Sequence, residues 1–261
     1  MADERERRRT SFGGVADAYE RARPEYPVAA VAWLTDGARE VLDLGAGTGK
    51  LTRGLVAAGL DVVAVEPDDA MAVRLREALP AVRVLAGAAE EIPLADGSVD
   101  AVVAGQAYHW FDPPRALPEI ARVLRPGGRL GLVWNVRDDR EPWVARLTAL
   151  LGGGAWAERP ERSLAASPLF GPLEQQTFAH EQALTRDELL ALVRSRSNVA
   201  VMDEAPRAEA LAAAGRIFDE VACGQTIVLP YVTECYRAPR VTGAVGPSAP
   251  SSRGPSRPAT P

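Results

Sequence analysis

The densest chemical signal in the sequence is VLDLGAGTGK, residues 41–50. An apolar run of strand length ends there at three glycines, Gly45, Gly47 and Gly49, and a segment with helical periodicity follows. Glycines at such a turn let the backbone approach a ligand closely, and the unpaired N–H groups of the first helical turn bind anionic or polar groups. The segment therefore predicts a ligand-binding turn. The alternative is a tight strand–helix connection without a ligand.

Two carboxylates accompany this turn. Asp43 lies on the strand that leads into the glycines, and Glu66 ends the next apolar run, residues 61–66. A carboxylate at the end of the second strand can accept hydrogen bonds from both hydroxyls of a ribose, although Glu66 could instead be a solvated acid. Dinucleotide-binding folds have the spacing G-x-G-x-x-G, whereas this chain has G-x-G-x-G. A nicotinamide-dependent oxidoreductase is therefore an alternative that the glycine spacing disfavours.

Polar and aromatic residues follow the fourth and fifth predicted strands. His109 comes after the fourth strand, and ligands bind at the carboxyl ends of strands in open α/β sheets, so His109 is a candidate general base. The alternative is that its ring packs beneath the following helix. Trp134 and Asn135 end the fifth strand and are candidates for the wall of a substrate pocket, although a buried tryptophan is more often part of the core.

The segment before the first predicted helix is rich in phenol and guanidinium groups, which are those of Tyr19, Arg21, Arg23 and Tyr26. Such a cluster fits a lid that closes over a ligand, and it fits an amphipathic arm with exposed charges equally well. Lys50 is the single lysine of the chain and therefore the one candidate for Schiff-base chemistry. Its place just inside a helix predicts a solvated side chain.

These residues need a sheet to bring them together, and the chain predicts one. Apolar runs alternate with helix-period segments, which is typical of a doubly wound α/β fold with a mostly parallel sheet and helices on both faces. The predicted strands are residues 40–45, 61–66, 82–87, 99–105, 129–135, 173–184 and 226–238. The predicted helices are residues 27–35, 49–58, 69–79, 113–124, 141–151, 186–195 and 204–221. Gly127 and Gly128 should close the fourth helix, and Pro230 predicts a sheet edge or a bulge.

The composition is that of an ordinary globular chain. Its 261 residues are 47% hydrophobic and 25% charged, with a net charge of -5, so we expect no nucleic-acid partner. The sequence contains no long uncharged apolar run, so we expect no membrane partner and a cytoplasmic location. Two cysteines and two histidines are too few for a disulfide framework or a histidine-rich metal site, so we expect no metal. Cys223, Cys235 and His180 are interpreted as structural.

The two ends of the chain differ from its middle. Residues 1–10 alternate acids and arginines, and residues 241–261 are rich in Pro, Ser and Gly. Neither composition supplies enough apolar surface to form a core, so we expect both segments to be disordered. No comparable linker interrupts the middle, which predicts one domain over residues 11–240.

The ordered series of motifs resembles the class I S-adenosylmethionine-dependent methyltransferases, in particular the type 11 small-molecule group and proteins related to trans-aconitate methyltransferase. The subgroup is indicated by AYHWFD at residues 107–112 and by LPYVTECYR at residues 229–237. It is also indicated by F-x-x-x-A-x-x-Y-x-x-x-R-P-x-Y-P, matched by Phe12, Ala16, Tyr19, Arg23, Pro24, Tyr26 and Pro27. The resemblance implies a Rossmann-like methyltransferase fold with seven strands, the last of them antiparallel.

The resemblance implies S-adenosyl-L-methionine as the cofactor. Asp43 and the glycines at 45, 47 and 49 would hold its methionine part, and Glu66 would bind the ribose. Pro67 or Asp68 would lie beside the adenine. Gln106 and Ala107 would pass close to the sulfonium and the methyl group, at the end of the fourth strand.

The adenine contact is where this chain departs from the pattern of the family. Many relatives carry an acid that meets the adenine amino group, and this chain has Ala88 at that position. The contact must then come from the backbone of Ala89 or from Glu90, or be absent.

The resemblance further implies in-line transfer of a methyl group to a small-molecule acceptor. The residues expected to bind the acceptor are Arg23, Tyr26, Trp110 and Asn135. A carboxylate acceptor needs no base, whereas a hydroxyl acceptor would call on His109 or Tyr19. A non-catalytic cofactor-binding regulator is the second alternative, and the sequence leaves the acceptor and the oligomeric state open.

Overall fold

The computed structural model describes residues 23–151, 160–196, 199 and 202–241. The amino-terminal arm expected over residues 1–10 lies outside the described residues, as does all but the first residue of the carboxy-terminal segment 241–261. The disorder expected for both segments therefore stays a prediction. Tyr19 and Arg21 also lie outside the described part of the chain.

Strands and helices alternate through the first half of the chain, as the hydrophobic pattern predicts. The elements there are α1 (Val28–Leu34), β1 (Glu40–Leu44), α2 (Lys50–Ala57), β2 (Asp61–Glu66), α3 (Asp69–Ala78) and β3 (Arg83–Ala86). Next come β4 (Val99–Gly105), a 3-10 turn (Tyr108–Trp110), α4 (Pro113–Val123) and β5 (Leu124–Arg137). The remaining elements are α5 (Pro142–Leu150), α6 (Pro160–Ala165), β6 (Glu174–Thr185), α7 (Arg186–Arg194), α8 (Glu204–Val221) and β7 (Thr226–Pro239).

Seven strands form one sheet in the order β3-β2-β1-β4-β5-β7-β6. Within the series β3-β2-β1-β4-β5 each pair of adjacent strands is parallel. Strand β7 runs antiparallel to both of its neighbours, β5 and β6. The predicted doubly wound, mostly parallel α/β fold is therefore confirmed, together with its antiparallel last strand.

Alternate residues of β1 enter two different cores because successive side chains of a strand point to opposite faces of the sheet. Leu42 packs in a cluster that includes Ile120 of α4, whereas Val41 packs in a cluster that includes Val31 of α1 and Leu55 of α2. Helices thus cover both faces. All strands from β1 to β5 direct their carboxyl ends to the same edge, where the site lies.

A separate cluster of buried residues covers the antiparallel half of the sheet. It joins Val144 and Leu147 of α5 to Leu189 of α7, Phe218 of α8 and Leu229 of β7. This helical layer follows β5 in the sequence and lies beside the carboxyl end of that strand.

Two local expectations are wrong. Helix α4 ends at Val123 and β5 begins at once, so Gly127 and Gly128 lie in an irregular stretch where the pairing of β5 with β4 shifts its register. Pro230 lies neither on an edge strand nor at a described bulge, because β7 lies between β5 and β6. The registered pairing of β5 with β7 ends at Tyr231, one residue away, and the carbonyl of Pro230 still accepts a hydrogen bond from the N–H of Asp138. The proline therefore lacks only a donor, at the end of this ladder.

The turn after β1 depends on glycine for two reasons. Gly45 has a φ of 72°, in the left-handed region that residues with a Cβ rarely adopt. A Cβ at this position would lie 2.8 Å from the Cβ of Ala107, which has no torsion that could move it aside. The turn after β1 and the segment after β4 therefore pack so closely that only the methyl group of Ala107 fits between their backbones.

Gly45→Ala should lower the free energy of unfolding by about 1–3 kcal/mol more than Gly59→Ala, because only the first substitution overpacks its surroundings. Gly59 is a matched control, since it also has a positive φ, 80°, and a Cβ there meets nothing within 4 Å. Urea denaturation measures both variants. Equal losses would mean that the contact with Ala107 relaxes without cost.

Candidate active site

A cleft opens at the carboxyl ends of the parallel strands, where the two halves of the sheet connect in opposite directions. Most of the residues expected at the site line it: Arg23, Tyr26, Asp43, Gly45, Gly47, Glu66, Pro67, Ala89, Glu90, Gln106, Ala107, Trp110 and Asn135. Gly49 and His109 are not among the described residues that line it. The assignment of each residue to a ligand stays a prediction, but the cleft brings most of the expected residues together.

Glu66 already holds the glycine turn in place. Its Oε2 accepts a hydrogen bond of 2.7 Å from the backbone N–H of Gly47, and its Oε1 accepts one of 2.9 Å from the N–H of Asp68. The carboxylate is buried, with 6% of the residue exposed, so it is not the solvated acid that the sequence left open. A carboxylate oxygen accepts more than one hydrogen bond, so both oxygens can also take a donor from the cleft.

Asp43 is fully buried near the end of β1 and is among the residues that line the cleft. Its Oδ2 accepts a hydrogen bond of 2.6 Å from the hydroxyl of Thr52 on α2. Its Oδ1 is buried and has no hydrogen-bond partner among the described residues. Burial raises the pKa of Asp43 from 3.8 to about 7, and the nearby Glu66 carboxylate raises it further. A buried acceptor without a partner is costly, which suits a ligand that brings a donor or a positive charge.

Gln106 has a strained backbone at the end of β4. Its φ of 56° is the only positive value among the described residues other than glycine. Such a conformation persists where the surroundings fix it, and here the N–H donates to the carbonyl of Val133 and Nε2 donates to the carbonyl of Asn135. The side chain is therefore held against β5 at the floor of the cleft.

Asn135 fastens the segment before α1 across the end of the sheet. Its Nδ2 donates to the carbonyl of Glu25 at 3.1 Å, and its Oδ1 accepts a hydrogen bond of 2.7 Å from the hydroxyl of Thr233. Both ends of the amide are thus used within the protein. The residue lines the cleft as expected, but it positions the segment that carries Arg23 and Tyr26.

Several single-residue expectations have a definite outcome. Gly49 caps the start of α2 with a φ of 90°, and a Cβ there would clash with Leu75 Cδ1, so its described role is close packing against α3. Trp134 is buried in the core beside Tyr236, as the alternative for a buried tryptophan predicts. The prediction of a solvated Lys50 is wrong, because the side chain is 17% exposed and its Nζ pairs with Glu25 at 3.0 Å.

Comparison with known proteins identifies the family to which the chain belongs. The family model described as a methyltransferase domain matches residues 42–132. An uncharacterised methyltransferase of Mycobacterium tuberculosis is 49% identical over 232 residues, which cover 87% of this chain and 95% of the relative. The chain belongs to the class I S-adenosylmethionine-dependent methyltransferases. It is therefore an enzyme, and the nicotinamide-dependent oxidoreductase and the non-catalytic regulator are set aside.

Other relatives of this methyltransferase agree with the assignment. A methyltransferase-like protein of Schizosaccharomyces pombe is 40% identical over 206 residues, covering 73% of this chain and 78% of the relative. A solved structure from Anaeromyxobacter dehalogenans, described as a type II methyltransferase, superposes with a TM-score of 0.63 at 27% identity and covers 83% of this chain and 97% of its own. None of the helices described for this methyltransferase is long and apolar enough to cross a bilayer.

Residues that the sequence reasoning did not assign to the site also shape the methyltransferase cleft, among them Thr52, which does not line it, and Met71, which does. Thr52 is buried and fixes Asp43, although its only signal is a hydroxyl on the apolar face of α2. Met71, on the first turn of α3, lines the cleft beside Gly47. Glu90 also lines the cleft, and its Oε1 accepts a hydrogen bond of 2.7 Å from the N–H of Asp112, so this carboxylate is partly used within the protein.

The raised pKa of Asp43 predicts a specific pH dependence of stability. Between pH 4 and 7 the folded protein holds a proton on Asp43 that the unfolded chain has lost, so stability falls as the pH rises through this window and levels off above about 7. The slope contributed by this group is about 1.4 kcal/mol per pH unit. Asp43→Asn cannot titrate and should lack the contribution.

Urea denaturation of both proteins at pH 5, 6, 7 and 8 measures the effect as the difference in unfolding free energy between wild type and Asp43→Asn. In this difference the contributions of titrating groups that do not interact with Asp43 cancel. A difference that does not change with pH would show that Asp43 is ionised throughout the range.

Proposed function

We propose that the protein transfers the methyl group of S-adenosyl-L-methionine to a small-molecule acceptor by in-line displacement. The observation that carries the proposal is the pair of buried carboxylates, Asp43 and Glu66, at the carboxyl ends of adjacent strands around a turn that excludes side chains. The family assignment supplies the class of reaction. The identity of the acceptor rests on the shape and chemistry of the cleft.

The residues of the cleft fit this cofactor. Asp43 Oδ1 lacks a partner among the described residues and suits the cationic amino group of a methionine moiety, beside the open backbone at Gly45 and Gly47. Glu66 suits the two hydroxyls of a ribose because both of its oxygens can accept further hydrogen bonds. Pro67, Ala89 and Glu90 would contact the adenine, since they line the same cleft as Glu66.

The cofactor supplies an electrophilic methyl group, because the methyl is bound to a cationic sulfur. The protein then has to align the nucleophile of the acceptor and to exclude water, and no covalent enzyme intermediate is needed. Gln106 and Ala107 would form the floor beside the reacting atoms. The segment that Asn135 holds across the sheet would cover them, with Arg23 and Tyr26 facing the cleft.

The acceptor would lie among Arg23, Tyr26, Trp110 and Asn135, which line the cleft on the side of β4 and β5. A hydroxyl acceptor needs a base, and Tyr19 and His109 are the candidates. His109 is partly buried on the 3-10 turn, and its ring lies 4.8 Å from that of the cleft-lining Trp110. An ionised acceptor would need neither residue.

The cofactor proposal predicts a thermal shift. S-adenosylhomocysteine, the product of the transfer, should raise the Tm, because a ligand that binds only the folded state stabilises it by about 2.7 kcal/mol at a concentration of 100 Kd. NAD at the same concentration should leave the Tm unchanged. A Tm raised by NAD alone would overturn the proposal. Mass spectrometry of a metabolite extract incubated with S-adenosylmethionine should then reveal a species heavier by one methylene.

The ribose proposal predicts the effect of Glu66→Gln. This variant should weaken binding of S-adenosylhomocysteine by roughly 1.5–3 kcal/mol, the usual range for hydrogen bonds to a charged group. It should also lower stability, because the amide NH₂ of Gln must face one of the two N–H groups that Glu66 now accepts from.

Calorimetric titration and urea denaturation on the same samples separate the two effects. Glu91→Gln is the matched control, since Glu91 is exposed and lies outside the cleft. Both of its readouts should equal those of wild type. A loss of stability with an unchanged Kd for Glu66→Gln would leave Glu66 with a structural role only.

A further inference from the structure

Beyond Asn135, the next residue of β5 on the same face is Arg137, at the carboxyl end of the strand. Arg137 pairs across the sheet with Tyr231 of β7, and Tyr231 pairs in turn with His180 of β6. A strand rises about 3.3 Å per residue, so the backbone of Arg137 lies about 6.6 Å beyond the cleft-lining Asn135. None of these three side chains is among the described residues that line the cleft, but their row lies next to its acceptor side, towards the helical layer.

Arg137 is partly buried and fixed from one side. Its Nε donates to the hydroxyl of Thr148 on α5 at 2.9 Å, which orients the guanidinium group. Within the described ranges of the chain, no carboxylate lies within ion-pair distance of Arg137. In contrast, carboxylates pair with many other arginines of the protein, among them Arg122, Arg125, Arg140, Arg146, Arg186 and Arg237.

Tyr231, Arg23 and Asp139 lie within electrostatic range of Arg137. Burial lowers the pKa of Arg137 and the charge of Arg23 lowers it further, whereas Tyr231 and Asp139 act in the opposite direction. Arg23 and Arg196 also lie within electrostatic range of the Tyr231 hydroxyl. Burial raises the pKa of Tyr231 to about 12, so its phenol stays protonated and can donate a hydrogen bond.

The carboxylate of Glu25, in the same segment as Arg23, is engaged by two other cations. Its Oε1 pairs with Lys50 at 3.0 Å and with Arg53 at 3.3 Å, on the side of α2. A partly buried guanidinium without a carboxylate partner is unfavourable unless a ligand supplies the negative charge. Its planar fork of donors matches a carboxylate or a phosphate in particular.

We propose that Arg137, with Arg23 and the hydroxyl of Tyr231 beside it, binds an anionic recognition group on the methyl acceptor. The group is a carboxylate or a phosphate, which share this chemistry. It lies beyond the cleft floor at Gln106 and is therefore distinct from the atom that is methylated. The inference rests on the proposed function, and it narrows the substrate class to small anions that carry a second, nucleophilic group.

The subsite is tested with succinate, inorganic phosphate and neutral succinamide as probes. Each is titrated into the protein saturated with S-adenosylhomocysteine, at an ionic strength matched with NaCl, and the Tm is followed. Succinate or phosphate should raise the Tm of wild type, and the better of the two identifies the group. Succinamide should have no effect. No response of wild type to either anion would overturn the subsite.

Substitutions locate the response. Arg137→Gln should raise the half-maximal concentration of the better anion at least about tenfold, the size expected for loss of a charge-assisted hydrogen bond. For Arg129→Gln, near the other end of the same strand, the half-maximal concentration should stay within about twofold of that of wild type. An equal response of Arg137→Gln and wild type would overturn the proposal. If Arg137→Gln does not fold, Arg137→Lys decides, because it keeps the charge and loses the fork.

Turnover separates this proposal from the proposed function. A metabolite extract is divided on an anion exchanger, and each fraction is incubated with the enzyme and S-adenosylmethionine. The methylated species should come from retained fractions and should itself still be retained. Methylation of unretained compounds alone would overturn the anionic subsite while supporting the proposed function. If S-adenosylhomocysteine does not bind wild type, the proposed function fails. The anion titration can then be repeated without S-adenosylhomocysteine, and it still tests whether Arg137 binds an anion.

Discussion

The change of direction at the middle of the sheet determines where everything else can lie. From β1 the chain passes outwards through β2 to β3, and it then returns to β4 on the other side of β1. The loops after β1 and β4 must therefore separate, and they leave a crevice between two adjacent parallel strands. Asp43 at the end of β1 and Gln106 at the end of β4 lie on its two sides.

The residues around this crevice also hold the protein together. Glu66 bonds the glycine turn, and Asn135 bonds the segment before α1. Each therefore keeps its orientation before any ligand arrives, which lowers the entropy lost on binding. Because the same residues stabilise the fold and line the site, substitutions there change stability and binding together, and activity alone does not separate the two effects.

Much of the fold follows from local patterns. Strands such as Glu40–Leu44 and Asp61–Glu66 are apolar runs bounded by turn residues, and the glycines and Glu66 lie at their ends. Such signals survive in a single sequence because they depend on neighbouring residues. The insertion of β7 between β5 and β6 depends on residues that are distant in the sequence. The local pattern around Pro230 therefore predicts an edge or a bulge instead.

The finer properties of the site depend on partners that are distant in sequence. Nothing near Asp43 reveals that Thr52 bonds it, and nothing near Asn135 reveals that Thr233 and Glu25 use both ends of its amide. The helical position of Lys50 alone predicts a solvated side chain, whereas its pairing with Glu25 becomes visible only in the folded structure. Arg137 illustrates the same limit, since only the packed structure distinguishes it from the arginines that pair with carboxylates.

The position of β7 also orders events during synthesis. It is the last described strand in the chain, yet it lies between β5 and β6, so β6 has no strand to pair with until residues 226–239 have left the ribosome. The parallel strands and the cleft can form earlier, but the nascent chain then exposes the edge of β5 over its whole length. At about 5–20 residues per second, this edge stays open for several seconds, which makes it the segment most in need of protection from other chains.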